Sequence, residues 1–205
     1  MGKDTSYLLS GASRGVGLDM VKLLLSEHEG IVIGGARNPD KYEELQELKK
    51  KYKDRFHILK LDISDSKSVQ ASAKEVEKLL PDGLDYLFNN AGTSEDIEPP
   101  SDTPDDQLTQ VMQTNAIVYK ASKAAVNMVT LVISNDKREE GWTVISVHPG
   151  IASTDMGNRP QEYGEEFKPE CTPEESAKGL LKVIHSLTPK DTGSFRTFKG
   201  DSLPW

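Results

Sequence analysis

The stretch Ser10-Gly11-Ala12-Ser13-Arg14-Gly15-Val16-Gly17 decides how this chain folds. It lies between a short apolar run, Tyr7–Ser10, and an amphipathic run, Gly17–Ser26, which predicts a tight turn from a strand into a helix. Glycines permit such a turn and let a pyrophosphate approach the backbone, while the helix N-terminus offers N–H groups and a positive dipole end. The stretch predicts a dinucleotide-binding turn. An ordinary glycine-rich turn is the alternative, which its place between strand and helix disfavours.

Short β-rich runs alternate with amphipathic runs through the first half of the chain, which is typical of a parallel sheet covered by helices. We predict a three-layered α/β fold with a doubly wound parallel sheet. Its first elements are Tyr7–Ser10, Gly17–Ser26, Ile31–Gly35, Pro39–Lys51, Phe56–Leu61, Ser66–Leu80 and Leu84–Asn89. Later, the capping box Thr172-Pro173-Glu174-Glu175 predicts a helix that runs to about Leu187. Strands are predicted before and after this helix, at Thr143–His148 and Ser194–Phe198.

Composition excludes several classes of protein. The 205 residues suit one domain, residues 1–205, and no apolar run approaches the ~20 residues of a membrane span. The net charge of −8 argues against nucleic acid or an anionic membrane as partner, because clustered Lys and Arg bind both. Cys171 is the single cysteine and the four histidines are scattered, so neither a disulfide nor a metal site is predicted. We expect a cytoplasmic protein.

Five motifs, in sequence order, resemble those of the short-chain dehydrogenase/reductase family. They are Ser10-Gly-x-x-x-Gly-x-Gly17, Leu61-Asp62-Ile63, Asn89-Asn90-Ala91-Gly92, Tyr119-Lys120-Ala121-Ser122-Lys123 and the loop from His148-Pro149-Gly150 to Met156. Within the family the chain is most similar to C-factor and sniffer-type carbonyl reductases and to fungal norsolorinic acid ketoreductases, partly through its ending, Gly200-Asp-Ser-Leu-Pro-Trp205. The resemblance implies a Rossmann-type NAD(P)-binding domain that transfers hydride between a nicotinamide and a small carbonyl or alcohol substrate.

The choice of nicotinamide cofactor depends on the residues after the second predicted strand. An NAD enzyme has Asp or Glu there to bind the ribose 2′-hydroxyl, whereas an Arg can hold the 2′-phosphate of NADP(H). This chain has Arg37 at that point, and Arg14 in the glycine-rich stretch can bracket the same phosphate. We therefore predict NADP(H) as cofactor. The resemblance assigns cofactor binding to Gly11, Ser13, Arg14, Gly15, Val16, Gly17, Arg37, Asp62, Ile63, Asn90, Ala91, Gly92, Tyr119, Lys123, Pro149, Gly150, Ile151, Ala152 and Thr154.

Tyr119 and Lys123 are four residues apart, so both project from one face of a helix. A phenol with a pKa of about 10 is a poor acid or base at neutral pH, and a neighbouring ammonium lowers that pKa. By resemblance, Tyr119 donates a proton to the carbonyl oxygen as hydride arrives, and Lys123 also holds the ribose hydroxyls. The backbone of Asn115, again by resemblance, supports a proton-relay water. These three residues are the predicted catalytic set.

The chain departs from the family between Asn115 and Tyr119, where only three residues intervene. Family members have there the rest of a helix, the fifth strand with the catalytic Ser, and a loop, roughly 30–40 residues by ordinary element lengths. We predict that the fifth strand is lacking and that the strand Thr143–His148 closes up beside Leu84–Asn89. Weak substitutes for the missing Ser are Ser122, Ser146, Thr93 and Ser94.

The same junction predicts one long helix from Asp105 to about Ile133, because no Gly or Pro interrupts it. The resemblance implies a homodimer, although the junction alters the helices that pair in that dimer.

Two classes of function stay open. One is an NADP(H)-dependent carbonyl reductase that is intact enough to work. The other is a nucleotide-binding relic without turnover, or the product of a misread gene.

Overall fold

The computed structural model describes residues 5–92, 122–154 and 169–205. The chain divides into two compact units, the first made of residues 1–92 and 151–181, and the second of residues 93–150 and 182–205. The single domain over residues 1–205 stays a prediction. Within the described ranges, no helix has the length and apolar character that crossing a membrane requires.

The first unit contains a four-stranded sheet with the order β3-β2-β1-β4, in which all pairings are parallel. Its elements are β1 (Ser6–Ser10), α1 (Gly15–Glu27), β2 (Ile31–Ala36), a 3-10 turn (Pro39–Lys41), α2 (Glu43–Lys51), β3 (Phe56–Lys60), α3 (Ser66–Leu79) and β4 (Tyr86–Phe88). The order reverses at β1, which has β2 on one side and β4 on the other. Open α/β sheets bind ligands at such a reversal.

Helices cover both faces of this sheet. Right-handed crossovers put α1 and α2 on one face and α3 on the other, because the direction of strand addition reverses after β3. Neighbouring strand residues are buried on opposite faces, as Val32 and Ile33 show. On the α3 face, Val76 and Leu79 pack against the cluster of Ile33, Leu59 and Leu80. The α1 helix buries Gly17, Leu18, Met20, Val21, Leu23, Leu24 and Leu25. The predicted three-layered, doubly wound α/β fold is confirmed.

The second unit combines a helix and a small mixed sheet. The helix α4 covers the described residues 122–136. Strand β5 (Ser146–His148) pairs in parallel with β6 (Phe195–Thr197), and β6 pairs antiparallel with β7 (Ser202–Leu203). The polar side of α4 faces this sheet, since Ser134 is fully buried and the Ser146 hydroxyl donates to the Thr130 hydroxyl at 3.0 Å. Apolar residues of α4 are exposed instead, namely Val126, Met128, Val129, Val132 and Ile133.

The helix α5 (Pro173–His185) begins at the predicted capping box. The Thr172 hydroxyl accepts the Glu175 N–H at 3.1 Å, and the Glu175 carboxylate accepts the Thr172 N–H at 2.8 Å. The hydrogen bonds from the Thr172 backbone and hydroxyl lower the pKa of Glu175. The helix ends at His185 rather than at about Leu187, so its start is confirmed and its end is slightly overestimated.

One predicted pairing is wrong. Among the described strands, Thr143–His148 does not pair with Leu84–Asn89, because β4 pairs with β1 while β5 belongs to the other sheet and pairs with β6. Both β4 and β5 have three residues. A pairing between them would add only a few ladder hydrogen bonds of about 1 kcal/mol each.

The long helix predicted from Asp105 to about Ile133 falls only partly on described residues. Its end is helical from residue 122 onward, within α4. Its beginning lies outside the described residues.

Candidate functional site

The carboxyl ends of the four parallel strands lie at the same edge of the first unit's sheet. The glycine-rich stretch follows β1, Arg37 follows β2, Asp62 comes soon after β3, and Asn90 comes soon after β4. Four segments that are far apart in the sequence therefore meet at one edge, at the point where the strand order reverses. Most of the predicted cofactor residues belong to this edge.

Glycines shape the turn from β1 into α1 for two different steric reasons. Gly11 and Gly15 have φ of +72° and +57°, in the left-handed region that residues with a side chain rarely adopt. Gly17 is required by close approach, because a Cβ there would lie 2.3 Å from the Gly11 carbonyl oxygen. The same Cβ would lie 2.6 Å from Nδ2 of Asn90. The turn is packed too tightly for any side chain at this position.

The segment after β4 is tied directly to the glycine turn. Nδ2 of Asn90 donates to the carbonyl oxygens of Ser10 at 3.1 Å and of Gly11 at 3.3 Å. The Ser10 hydroxyl donates to the Phe88 carbonyl at 3.3 Å and accepts the Ala91 N–H at 3.1 Å. These bonds join residues about 80 positions apart and fix the turn against the end of β4.

The N-terminus of α1 suits an anion. No side chain caps the helix in the described structure, and its first turn contains no acidic residue. The first N–H groups of an α-helix have no partner within the helix, and the helix dipole adds a positive partial charge there.

The end of β2 is also joined to the glycine turn, because the Ala12 N–H donates to the Gly35 carbonyl at 3.0 Å.

Arginines and one carboxylate follow on the same edge. The side chains of Arg14 and Arg37 are both exposed. Asp62 accepts the Ser64 hydroxyl at 2.6 Å and the Ser64 N–H at 3.0 Å. These hydrogen bonds lower the pKa of Asp62, and the positive charge of Arg37 lowers it further. Next to it, the Ile63 side chain is 54% exposed, an apolar surface beside a fixed carboxylate.

The segment Ile151–Thr154 is also part of the first unit. Ala152 forms a parallel bridge with Cys171, and the Ser153 N–H donates to the Cys171 carbonyl at 3.0 Å. Cys171 is buried. Thr154 reaches the glycine turn, since a Cβ at Gly15 would lie 3.2 Å from its methyl group. The structure thus brings Thr154 together with the glycines.

Of the three predicted catalytic residues, one falls within the described ranges. Lys123 lies in α4 with an exposed side chain, in the second unit. Asn115 and Tyr119 lie outside the described residues, as do Thr93 and Ser94. Ser146, a weak substitute for the missing Ser, donates its hydroxyl to Thr130.

Two contacts were not anticipated from the sequence. Ser10 opens the quoted stretch, yet its role in joining the turn to β4 depends on a partner that no local pattern identifies. The other contact joins Nδ1 of His148 to the Gly150 N–H at 3.0 Å, in the second unit. A histidine two residues before a glycine, with proline between, is the sequence signal that could have indicated it.

Comparison with known proteins identifies the class. The short chain dehydrogenase family profile matches residues 6–118 and 116–163. An uncharacterized oxidoreductase of Schizosaccharomyces pombe is 31% identical over 248 positions, which cover 97% of each chain. The chain belongs to the short-chain dehydrogenase family, and it is an oxidoreductase of that class.

Solved structures agree with this assignment. The NADPH-bound carbonyl reductase from chicken fatty liver has a TM-score of 0.78 and 27% identity, and the match covers 100% of both chains. The carbonyl reductase Sniffer of D. melanogaster has a TM-score of 0.79 and 24% identity, covering 99% of this chain and 100% of that one. The chain therefore shares its fold with these two carbonyl reductases.

The comparisons also bear on the predicted gap. The family profile matches in two pieces that meet at residues 116–118, the same place where the sequence predicts a missing segment. The alignment with the S. pombe protein spans 248 positions, more than the 205 residues of this chain. Because this alignment covers 97% of both chains, the S. pombe protein contains residues that have no counterpart in this chain.

Proposed function

We propose that this chain binds NADP(H) at the carboxyl edge of the first unit's sheet and is a carbonyl reductase type oxidoreductase with impaired turnover. The observation that carries the proposal is the glycine turn before α1, whose helix N-terminus has neither a side-chain cap nor an acidic residue. A pyrophosphate fits there, because Gly17 removes the Cβ that would otherwise fill the turn. When bound, the nicotinamide supplies the hydride for reduction of a small carbonyl compound.

Different residues are proposed to bind the pyrophosphate, the adenine and the 2′-phosphate of the nucleotide. The N–H groups at the start of α1 hold the pyrophosphate, and Thr154 borders the turn from the other side. Asp62 hydrogen-bonds to the adenine, and Ile63 contacts it with its apolar side chain. Arg37, assisted by Arg14, holds the 2′-phosphate, because a guanidinium rather than a carboxylate directly follows β2 and a second guanidinium lies in the glycine turn.

Impaired turnover is supported by the junction between Asn115 and Tyr119. There the match to the family profile breaks, and the segment that would contain the catalytic Ser has no counterpart in the sequence. Tyr119 and Lys123 keep their proposed roles in protonating the carbonyl oxygen and holding the ribose. Reading the transcript across Ile117–Tyr119 would distinguish a real deletion from a misread gene.

The cofactor assignment predicts a preference that one substitution reverses. The unmodified chain should bind NADPH roughly 10- to 100-fold more tightly than NADH, the gain typical of hydrogen bonds between charged groups. Arg37→Asp should remove that preference and favour NADH, because a carboxylate repels the phosphate and accepts from the ribose 2′-hydroxyl. Titration of nucleotide fluorescence or calorimetry measures both affinities.

Lys53→Asp is the matched control. Lys53 is exposed in the same unit, and its replacement changes the net charge equally without touching the strand ends. It should leave the ratio of the two affinities unchanged. Equal affinity of the unmodified chain for NADPH and NADH would refute the role of Arg37.

A further inference from the structure

A basic segment, residues 49–55, covers the last turn of α2 and the turn into β3. It has five cations and one carboxylate, that of Asp54, so it contributes +4 to a chain whose net charge is −8. The cations are Lys49, Lys50, Lys51, Lys53 and Arg55. Because β3 begins at Phe56, the segment lies at the amino end of this strand. It is therefore at the opposite edge of the sheet from the proposed nucleotide site, and the proposed function does not use it.

Most of the positive charge of the basic segment is not compensated. Arg55 forms an ion pair with Glu29 at 3.4 Å. The side chains of Lys50, Lys51 and Lys53 are exposed, and they form no ion pair with any residue that the structure describes. Like charges so close together repel one another, since the distances between them are well below the ~10 Å over which salt screens charges. An anion bound among these lysines would relieve that repulsion.

A cleft of about 370 Å³ adjoins the basic segment, between α1, the end of α2 and the start of α5. Lys51 and Tyr52 belong both to the segment and to the lining of the cleft, and Leu23 and Leu48 add apolar surface. The ammonium of Lys51 lies 5.0 Å from the centre of the Tyr52 ring. The cleft therefore offers apolar surface directly beside an exposed positive charge.

Two carboxylates also line the cleft, and both are paired within the chain. Asp19 pairs with Lys22 at 3.5 Å, and Glu174 pairs with Lys178 at 2.6 Å. Their negative charges are thus already balanced by lysines of the same unit. Lys51 is the cation at the cleft that is left to contact a ligand.

We propose that the basic segment and this cleft form a docking surface for an acidic segment of a partner protein. The partner's carboxylates contact Lys50, Lys51 and Lys53, and one of its apolar side chains enters the cleft. A bilayer or a nucleic-acid duplex fits less well, because its negative charge extends far beyond the basic segment and meets the net charge of −8 on the whole chain. A peptide contacts the basic segment alone, and it also supplies the apolar side chain.

The probe for this surface is a fluorescent peptide with glutamates on both sides of one phenylalanine. We expect saturable binding, measured by fluorescence anisotropy, that weakens as salt is raised above ~0.1 M. Lys51→Gln combined with Lys53→Gln should weaken binding about threefold to tenfold, the range for two exposed ion pairs. Both side chains are exposed and Gln favours a helix, so the variant should fold, which circular dichroism verifies.

Lys74→Gln combined with Lys78→Gln is the matched control. Both lysines are exposed in α3, on the other face of the same sheet, and this variant should bind the peptide as the unmodified chain does. A peptide with serine in place of phenylalanine should bind more weakly, and NADPH should not displace either peptide. Absence of saturable binding, or equal loss in the two double variants, would overturn the docking surface. Equal binding of the serine peptide would overturn the role of the cleft.

Other occupants of the surface give different results. Tighter binding to phosphatidylserine vesicles or to a DNA duplex than to the peptide, lost in the Lys51 and Lys53 variant, would overturn the proposal in favour of a membrane or a nucleic acid. Sedimentation of the chain alone as a dimer that the same variant dissociates would show that a second copy covers the surface instead. Because these measurements need no nucleotide, failure of the chain to bind NADPH would overturn the proposed function and leave the docking surface to be decided by the peptide.

Discussion

Insertion of a helix remainder, a Ser-bearing strand and a loop of the family's kind between Asn115 and Tyr119 is expected to raise carbonyl-dependent oxidation of NADPH by several orders of magnitude. The missing Ser alone removes a donor worth roughly 10²–10³ in rate. Displacement of the proton donor by about 1 Å costs roughly another 10². If one helix contains Asn115, Tyr119 and Lys123, they are spread along about 12 Å of its axis, too far to converge on one carbonyl oxygen. Steady-state rates with small ketones, aldehydes and quinones measure the gain.

Tyr119→Phe in the extended chain is the control for this experiment. It should remove the gained activity, because the phenol is the proposed proton donor, while NADPH still binds. Robust oxidation by the unmodified chain that Tyr119→Phe abolishes would show that the junction does not impair turnover. A well-folded extended chain without activity would show that the missing segment is not the defect.

Gly17→Ala is expected to weaken NADPH binding strongly. A Cβ there would come within 2.3 Å of the Gly11 carbonyl oxygen and 2.6 Å of Nδ2 of Asn90, so the glycine turn or the segment after β4 must shift. Overpacking of this kind costs about 1–3 kcal/mol, or roughly 5- to 150-fold in affinity if the turn takes up the strain. Fluorescence titration with NADPH measures the loss, and circular dichroism shows whether the variant is folded.

Gly83→Ala is a matched control in the same unit. Gly83 also has a positive φ, +101°, but nothing lies within 4 Å of a Cβ placed there. The variant therefore has backbone strain without a clash and lies away from the carboxyl edge. It should reduce stability modestly and leave NADPH affinity unchanged. A folded Gly17→Ala chain that binds NADPH as well as Gly83→Ala does would contradict the proposed site.

Local sequence features predicted the elements well and the long-range pairing only in part. The glycine turn, the alternation of strands and helices, and the Thr172 capping box each depend on neighbours within a few residues, and all three occur in the structure. The expected contact between β4 and β5 is wrong. Pairing of two three-residue strands is decided by distant partners, here β1 and β6, whose identity short apolar runs do not encode.

The same limit applies to the candidate site. The resemblance assigned the glycine turn and residues after β2, β3 and β4 to cofactor binding, and the structure places these segments at one edge, because parallel strands bring their carboxyl ends together. The sequence did not indicate that the amide of Asn90 fixes the Ser10 carbonyl, or that Thr154 borders Gly15. Those contacts require the packing of segments separated by 80 or more positions, which no spacing rule predicts.

We propose that the nucleotide site of this chain is intact while its turnover is impaired. The most direct test mixes the unmodified chain with NADPH and records the bound nucleotide's fluorescence before and after small aldehydes, ketones and quinones are added. We predict saturable binding, tighter than that of NADH, and little or no loss of the reduced nucleotide once the carbonyl compounds are present. Absence of saturable NADPH binding would refute the proposed nucleotide site, and rapid oxidation that depends on Tyr119 would refute the proposed impairment of turnover.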